Sequence, residues 1–264
     1  MQQQTKIFGG QRLVSVVMVA GMVILVAALF RMPFAGALYR TSLADVSGDV
    51  QTWYSSWRSQ GLIRDYLQSH TVRKLQIGAG SNNLQDWLNT DIEPEQGQAY
   101  LDATKPFPLP DKSIHFIFSE HVIEHLSYSD GMAMLKECHR VLAPGGKVRI
   151  ATPNLQRFVN LFRQDKSDDL RRYMEGKLRW HAWPKNPSTE CFILNLELRE
   201  FGHRFVYDVE TLRGSLMTAG LQPGGEFTPG QSDVAELRGV EGRQNSGVRD
   251  LNAYESMILQ ARRP

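Results

Sequence analysis

Short apolar runs, each bounded by turn residues, recur along the chain from Lys74 onward. Runs of this kind are typical of strands that are buried in a sheet. The predicted strands fall at Lys74–Ile77, Trp87–Asp91, Ile114–Phe118, Lys147–Thr152 and Ser256–Gln260. Because Ile114–Phe118 is strongly apolar, we expect it near the centre of the sheet.

Two segments between these runs change to helical periodicity. Gly131–Leu142 places apolar side chains three and four residues apart and stops at Pro144-Gly145-Gly146, with Ser129 or Asp130 as its expected N-cap. Thr211–Gly220 repeats the pattern and ends at its glycine. Strand, helix and strand in alternation predict parallel pairing. The fold class is therefore α/β: a Rossmann-like open, mostly parallel sheet flanked by helices.

Residues 155–204 do not follow this alternation. The stretch is mostly helical and irregular, and we predict that it is an insertion over the site at the sheet edge. Cations and aromatic side chains are interleaved in it, at Arg171, Arg172, Lys177, Arg179, Trp180 and Trp183. This set could recognise an anionic or sugar-bearing acceptor or touch a membrane surface. A solvated helical face is the plain alternative.

The segment Leu13–Phe30 contains eighteen residues without a charge. A helix of that length spans about 27 Å, close to the ~30 Å of a bilayer's hydrocarbon core. We therefore predict a single-pass transmembrane anchor. A cleaved signal peptide is the alternative, since Lys6 and Arg12 precede the run and Ala35-Gly36-Ala37 offers small residues at a cleavage spacing. Basic residues flank the run on both sides, so they do not fix its orientation.

These patterns divide the chain into three parts. Residues 1–35 would form the N-terminal tail and the anchor, residues 36–70 a juxtamembrane helical linker, and residues 71–264 the α/β domain. Aromatic and arginine side chains in the linker suit a helix at a membrane surface. The same pattern suits a helix packed on the domain, and the sequence leaves both interpretations open.

Composition excludes several other classes of protein. The 264-residue chain is 42% hydrophobic with a formal net charge of +2, which is typical of a globular domain and argues against nucleic-acid binding. Its two cysteines, Cys138 and Cys191, stand in no paired spacing, so neither a disulfide framework nor a zinc site is indicated. Cys138 falls on the apolar face of its helix, where we expect a buried structural thiol.

A glycine turn, Gly78-Ala79-Gly80, joins the first predicted strand to an expected helix. Such a turn lets a ligand approach backbone N–H groups closely, although a short glycine turn alone is a weak signal. Asn83 replaces the third glycine of the G-x-G-x-x-G dinucleotide motif. The acid for a nicotinamide ribose would fall near Gln98, whereas a strand already ends in acid at Asp91. Both departures disfavour a nicotinamide-linked oxidoreductase.

Three titratable side chains, His121, Glu124 and His125, follow the strand Ile114–Phe118. Their spacing would place them on neighbouring positions of one helical face. They also follow the carboxyl end of a parallel strand, which is where ligands bind in open α/β sheets. The acid is misplaced for the H-E-x-x-H zinc motif, so no metal is predicted. A capping, partly buried and hydrogen-bonded histidine is the alternative to a substrate-side role.

Three stretches in this order resemble class I methyltransferases of the large group called type 11. They read LQIGAGSNNLQDWLNTDIEP, LDATKPFPLPDKSIHFIFSEHVIEHL and LKECHRVLAPGGKVRIATPN. More narrowly, the chain is similar to bacterial members that carry a G-x-G turn, a W-x-N-x-D strand and an H-V-x-E-H-L element. The likeness is close over Leu75–Asn154 and looser over Gly202–Leu221. It implies S-adenosylmethionine as the cofactor.

The resemblance also implies which residues hold that cofactor. Its methionine end would lie against the glycine turn, Asp91 would accept hydrogen bonds from the ribose hydroxyls, and Asp102 would accept one from the adenine amino group. An acid after a strand is often only a turn former, which is the alternative for both. The full expected set is Gly78, Ala79, Gly80, Asp91, Ile92, Asp102, Ala103, Ser119 and Glu120.

Methyl transfer is a displacement at carbon, so proximity and alignment supply much of its acceleration. If the acceptor is a hydroxyl, His121 and His125 are the catalytic candidates to remove its proton, and His203 or Tyr207 could also assist. The acceptor stays unidentified; the resemblance suggests a glycan or lipid-linked hydroxyl. We therefore expect a membrane-anchored methyltransferase with its domain in the cytoplasm, where the cofactor is made. A catalytically inactive scaffold that binds the cofactor at the membrane is the alternative.

Overall fold

The computed structural model describes residues 55–180, 189–242 and 249–264. All of them lie in the second of two units into which the chain divides, Thr52–Pro264. The predicted anchor at Leu13–Phe30, its signal-peptide alternative and linker residues 36–54 lie outside the described residues. Among the helices of the described part, none combines the length and the apolar character that crossing a bilayer requires.

The described residues form one seven-stranded sheet. Its strands are β1 (Lys74–Ile77), β2 (Leu88–Asp91), β3 (Ala99–Tyr100), β4 (Ile114–Glu120), β5 (Leu142–Pro153), β6 (Gln222–Glu226) and β7 (Ser256–Arg262). Their order is β3-β2-β1-β4-β5-β7-β6; the first five are parallel, and β7 runs antiparallel to both its neighbours. The mostly parallel sheet predicted from the sequence is confirmed, with β4 at its centre.

Seven α-helices surround the sheet within the described residues. They are α1 (residues 55–69), α2 (Tyr128–Val141), α3 (Leu155–Val159), α4 (Asp168–Trp180), α5 (Thr189–Asn195), α6 (Val209–Thr218) and α7 (Arg249–Glu255). Ser127 caps α2, since its side chain accepts from the Asp130 amide. The expected cap at Ser129 or Asp130 is therefore wrong, because the helix begins earlier than its apolar pattern.

One face of the sheet is apolar and is covered by helices. Leu75, Ile117 and Val148 lie side by side on β1, β4 and β5, and each is fully buried. Against them pack side chains of α1, α2 and α6, namely Ile63, Tyr66, Met134, Leu135, Cys138, Leu212 and Leu216. Cys138 is wholly buried in this core, as predicted for a structural thiol, and burial raises its pKa to about 12.

The opposite face is more polar and lacks the expected helix after β1. Residues 81–87 are irregular, so the prediction that the glycine turn opens a helix is wrong. Residues 229–242 approach this face instead, and their Leu237 and Val240 pack with Trp87 and Phe118. The physical reason is length: the short connection from β1 to β2 leaves no room for a helix that crosses the sheet.

A buried ion pair fastens this replacement cover to the sheet. Arg149 on β5 is completely buried and pairs with Glu241. The second oxygen of the Glu241 carboxylate accepts from the Gly230 amide at 3.0 Å. A buried charge that loses its partner costs several kcal/mol, about 3 to 5, so this pair holds residues 229–242 against the sheet.

Helix α1 packs on the domain, which is one of the two interpretations that the sequence left open. The Tyr66 hydroxyl donates to the Lys74 carbonyl oxygen at 2.9 Å, and the Ser59 hydroxyl accepts from the Tyr100 amide at 2.5 Å. These bonds join α1 to the β1 and β3 strands. Residues 55–69 are therefore part of the α/β core rather than a separate surface helix.

The insertion over residues 155–204 has a small core of its own, formed by Phe158, Leu161, Leu170, Tyr173 and Ile193. Lys177 is buried beneath it, where its Nζ lies 2.7 Å from the Glu255 carboxylate. Lys177 is thus excluded from the predicted basic and aromatic surface, whereas Arg171, Arg172 and Arg179 are exposed. Trp183 and the Trp180 side chain lie outside the described residues.

Candidate active site

The glycine turn lies at the carboxyl end of β1, and its backbone requires glycine. Gly78 and Gly80 have φ angles of +70° and +51°, in the left-handed region that favours glycine. A Cβ atom added to Gly78 would stand 2.2 Å from the Cγ2 atom of Val122. The turn therefore fits directly against the segment that follows β4, and a side chain at position 78 would separate them.

Asp91, at the end of β2, faces the glycine turn. Its Oδ2 atom accepts from the Gly80 amide at 2.9 Å, and its Oδ1 atom accepts from the Glu93 amide at 3.0 Å. Each carboxylate oxygen has further lone-pair capacity for a ligand hydroxyl. The structure thus brings together the turn and the acid that sequence reasoning assigned to one cofactor.

Gln98 fixes the glycine turn through hydrogen bonds of its side chain, and the sequence analysis did not predict this role. Its amide nitrogen donates to the Gly80 carbonyl oxygen at 2.6 Å and to the Asn83 side chain at 2.9 Å. Gln98 is buried, and it occupies the place near which a nicotinamide enzyme would carry its ribose-binding acid. A glutamine used for bracing the turn supplies no carboxylate there.

Asp102 and Ala103 follow β3 on the same edge of the sheet. The Oδ1 atom of Asp102 accepts from both the amide and the hydroxyl of Thr104, at 2.9 and 2.7 Å. These bonds orient the carboxylate and leave its Oδ2 atom for a ligand. Ala103 is buried, whereas the Ile92 side chain is 59% exposed beside Asp91 and presents an apolar surface for a flat ring.

Ser119 and Glu120 end the central strand β4. Ser119 is buried, and Glu120 accepts from the Gly242 amide at 3.0 Å. The Asn82 side chain donates to the Val240 carbonyl oxygen at 3.3 Å. Residues 240–242 therefore bridge the glycine turn and the end of β4, a contact between distant parts of the chain that no sequence pattern indicated.

His121 is buried next to these strand ends in an unusual backbone conformation. Its φ angle is +53°, which is uncommon for a residue with a side chain. Its Nδ1 atom lies 3.0 Å from Glu124, and its Nε2 atom lies 3.0 Å from the Ser256 hydroxyl. Backbone strain of this kind concentrates at functional sites, so the held imidazole is a candidate for chemistry rather than for packing alone.

Glu124 is the partner that holds His121, and it is fully buried. The Thr152 hydroxyl donates to its second oxygen at 3.0 Å. Burial acts to raise the pKa of Glu124, but the hydrogen bond and the charge of His121 outweigh it, so the pKa is lowered. The carboxyl is thus held ionised in the interior, beside His121.

His125 lies against His203. The ring centroids of His125 and His203 are 4.9 Å apart in an edge-to-face arrangement. The expected single helical face with His121, Glu124 and His125 is wrong, because Ile123–His125 forms only a 3₁₀ turn and His121 precedes it with a left-handed backbone. Glu124, His125 and His203 nevertheless lie close together, and His121 contacts Glu124.

Tyr207, another candidate to assist, is fully buried, and burial raises its pKa to about 12. Its hydroxyl makes no hydrogen bond to the described residues. A phenol with so high a pKa is a poor proton acceptor near neutrality. Tyr207 is therefore a packing residue of the main core. Burial also lowers the pKa of His203, which favours its neutral imidazole.

Parts of this chain are similar to known proteins. Residues 75–150 match the model of a family described as a methyltransferase domain, of the type 11 group. A probable S-adenosylmethionine-dependent methyltransferase from Mycolicibacterium smegmatis is 47% identical over 47 residues, 18% of this chain and 18% of that protein. This chain therefore matches under a fifth of that relative's length.

Solved structures with a similar arrangement share little sequence with this chain. A SAM-dependent methyltransferase from Archaeoglobus fulgidus is 17% identical, with 77% of this chain and 92% of that chain covered at a TM-score of 0.44. A SAM-dependent methyltransferase, possibly a histamine N-methyltransferase, from Thermotoga maritima is 16% identical, with 81% and 96% covered at a TM-score of 0.43.

The family match confirms the resemblance that the motifs carry. Over residues 75–150 the chain is similar to a methyltransferase domain, and the relative that it matches is described as a probable S-adenosylmethionine-dependent methyltransferase. The matched residues include the glycine turn, Asp91, Asp102 and the segment from Ser119 to His125. His203 and residues 229–242 lie outside the match, so their part in the site follows from the geometry alone.

Proposed function

We propose that this protein transfers a methyl group from S-adenosylmethionine to a hydroxyl of a glycan or a lipid-linked acceptor. The observation that carries the proposal is the meeting of the glycine turn with Asp91, whose carboxylate accepts from the Gly80 amide at 2.9 Å. This pairing places backbone N–H groups and an acid within reach of one small ligand.

In this proposal the cofactor lies along the carboxyl edge of the sheet. Its methionine end would rest on Gly78–Gly80, its ribose would bind Asp91, and its adenine would lie between Ile92 and Asp102. Ala79 and Ala103, which are both buried small residues, leave room for close contact of the ligand with the backbone. Ser119 and Glu120 would contact it from the end of β4.

The acceptor would bind on the side of the His121 imidazole. The closeness of Val122 to Gly78 supports this placement, since it would set His121 and Glu124 next to the methionine end of the cofactor. A hydroxyl oxygen attacks the methyl carbon as the carbon–sulfur bond breaks, and the acceptor's proton passes to a base. His121, held by the ionised Glu124, would accept that proton.

The location belongs to the same proposal. Residues 13–30 would anchor the protein in a membrane, and the domain would face the cytoplasm, where S-adenosylmethionine is made. An anchor would keep the domain close to lipid-linked acceptors, which raises their local concentration at the site. A reporter fused after Pro264 tests the orientation: its appearance on the outer side would contradict this part.

Labelled methyl transfer tests the proposal directly. Full-length protein is incubated with methyl-labelled S-adenosylmethionine and with separated lipid, glycan and protein fractions. We expect label in the lipid or glycan fraction from wild type and from Glu95→Gln, a variant of a nearby exposed acid. Asp91→Ala should transfer none.

Each other outcome has a definite meaning. Label in the protein fraction would reject the acceptor class but keep the methyltransferase. Cofactor binding without label in any fraction would favour an inactive scaffold. Equal transfer by Asp91→Ala would show that Asp91 does not hold the cofactor.

A further inference from the structure

Glu124, His125 and His203 form a second constellation, which we call the Glu-His-His cluster. Each side chain offers one possible metal-ligating atom, a carboxylate oxygen or an imidazole nitrogen. These three atoms all lie within 4.8 Å of one another. His203 comes from the far end of the insertion, so its meeting with Glu124 and His125 could not be predicted from their spacing in the sequence.

The spacing is close to what a metal ion requires. Bonds from a cation to imidazole nitrogen or carboxylate oxygen measure about 2.0 to 2.2 Å. At tetrahedral to linear angles, such bonds hold two ligand atoms about 3.4 to 4.2 Å apart. Small side-chain rotations that move each ligand atom by a few tenths of an ångström would bring the three atoms to bonding distance of one ion.

His203 is held in the form that binds a metal. Its Nδ1 atom is hydrogen-bonded to the carbonyl oxygen of Glu197, which can only accept. The proton therefore lies on Nδ1, and Nε2 keeps its lone pair. Metal-binding histidines almost always have this kind of bond from the second ring nitrogen.

Glu124 is likewise oriented by partners that leave capacity for a cation. One carboxylate oxygen lies 3.0 Å from His121 Nδ1, and the other accepts from the Thr152 hydroxyl at 3.0 Å. Each oxygen still carries a second lone pair. A carboxylate with no solvent exposure is found in proteins when it is paired or when it coordinates a metal.

The backbone fixes the two halves of the cluster together. The amides of Arg204 and Phe205 both donate to the Glu124 carbonyl oxygen, at 2.7 and 3.1 Å. Gly202 turns the chain there with a φ of +73°, and a Cβ atom on it would stand 3.9 Å from His125 Nδ1. The approach of His203 to His125 is therefore built into the main chain.

We propose that the Glu-His-His cluster binds a divalent first-row transition metal ion such as Zn²⁺ or Mn²⁺. Two imidazoles and one carboxylate suit such ions and leave coordination positions open. The further role rests on the proposed function: the ion would bind the acceptor hydroxyl and lower its pKa. An oxygen acceptor is the class that such an ion favours.

Calorimetric titration of the chelator-treated full-length protein tests the site, with Zn²⁺ in one arm and Mn²⁺ in the other. We expect wild type to bind about one equivalent of at least one ion, and His203→Gln and His125→Gln to bind it about 100-fold more weakly or not at all. His139→Gln is the matched control, because His139 lies on α2 beside Gly220 and outside the cluster. It should bind as wild type does.

S-adenosylmethionine binding by the same variants separates the possible failures. Cofactor binding that survives in His203→Gln while metal binding is lost would show a folded protein and a true ligand. Absence of metal binding in wild type, or equal binding by wild type and both cluster variants, would overturn the proposal. If wild type binds the metal ion but transfers no methyl group, that result would instead count against the proposed function. Glu124→Gln is less informative, because Glu124 also holds Thr152 and His121.

Discussion

The two sides of the site are built in different ways. The cofactor side consists of turns and strand ends that lie close together in sequence, with Asp91 and Asp102 partly exposed. The proposed acceptor side is a buried network in which Glu124 joins His121 and Thr152, while His125 meets His203 from the insertion. Local backbone geometry therefore shapes the proposed cofactor side, and long-range packing shapes the proposed acceptor side.

If the two sides have separate roles, a substitution on the acceptor side should lower kcat without changing cofactor affinity. His121→Gln should show the largest effect of this kind. If His121 is the base, its loss should lower kcat about 100-fold or more. The dissociation constant for S-adenosylmethionine should stay within about twofold of wild type, because His121 lies on the acceptor side. Steady-state kinetics with the labelled acceptor fraction, together with calorimetry, measures both quantities. A change confined to cofactor affinity would reverse the assignment of the two sides.

Gly78→Ala should act on the cofactor side through the backbone. The left-handed φ costs a residue with a side chain about 1 to 2 kcal/mol, and the overlap with Val122 adds about 1 to 3 kcal/mol. Each kcal/mol lowers the unfolding temperature by about 2 to 4 °C, so the unfolding temperature of Gly78→Ala should be roughly 4 to 20 °C lower than that of wild type.

Gly78→Ala with Val122→Ala provides the matched comparison. The double variant should recover the part of the loss that is due to overlap, though not the part due to φ. Equal unfolding temperatures for wild type and Gly78→Ala would contradict the geometry of the turn.

Glu197, in the insertion, should make the stability of the folded protein depend on pH. Burial and the charge of Glu255 raise its pKa to about 7, against an ordinary value of 4.5. A raised pKa in the folded state means that the stabilisation is complete below about pH 4.5 and is lost as pH rises through about 7. Glu197→Gln should therefore flatten the decline of stability between pH 5 and pH 8, by roughly 2 kcal/mol.

Denaturant unfolding at both pH values measures this difference. Glu200→Gln, on an exposed neighbour, should keep the decline seen in wild type. An unchanged decline in Glu197→Gln would show that other groups cause it.

Asp102→Asn should have the smallest effect. The variant keeps the bonds that a side-chain oxygen accepts from Thr104, but it removes the charge that strengthens a bond from an amino group. We expect S-adenosylmethionine to bind about tenfold more weakly, with thermal unfolding nearly unchanged. A loss of binding as large as that of Asp91→Ala would show that Asp102 does more than contact adenine.

Sequence patterns predicted the parts of the fold that depend on local order. The positions of β1, β4 and the turn Gly78–Gly80 follow from short apolar runs and glycine, which are local signals. The cover of the polar face by residues 229–242 could not be read in this way, because it depends on the pair between Arg149 and Glu241, far apart in the chain.

The same limit applied to Lys177 and His203 in the insertion. Lys177 reads as a surface cation in an amphipathic helix, yet the Glu197 and Glu255 carboxylates make its burial favourable. His203 has no local motif, and only the amides that follow it bring it to Glu124. Sequence alone could predict that the glycine turn and Asp91 lie at the same edge of the sheet, and it indicated little of the network around Glu124.

Calorimetry of S-adenosylmethionine binding to full-length wild type, Asp91→Ala and Glu95→Gln tests the central claim most directly. Two hydrogen bonds from ribose hydroxyls to a carboxylate contribute about 3 kcal/mol or more together, so Asp91→Ala should bind at least about 100-fold more weakly. Wild type and Glu95→Gln should bind equally well. Equal affinity in all three proteins, or no binding by wild type, would contradict the account.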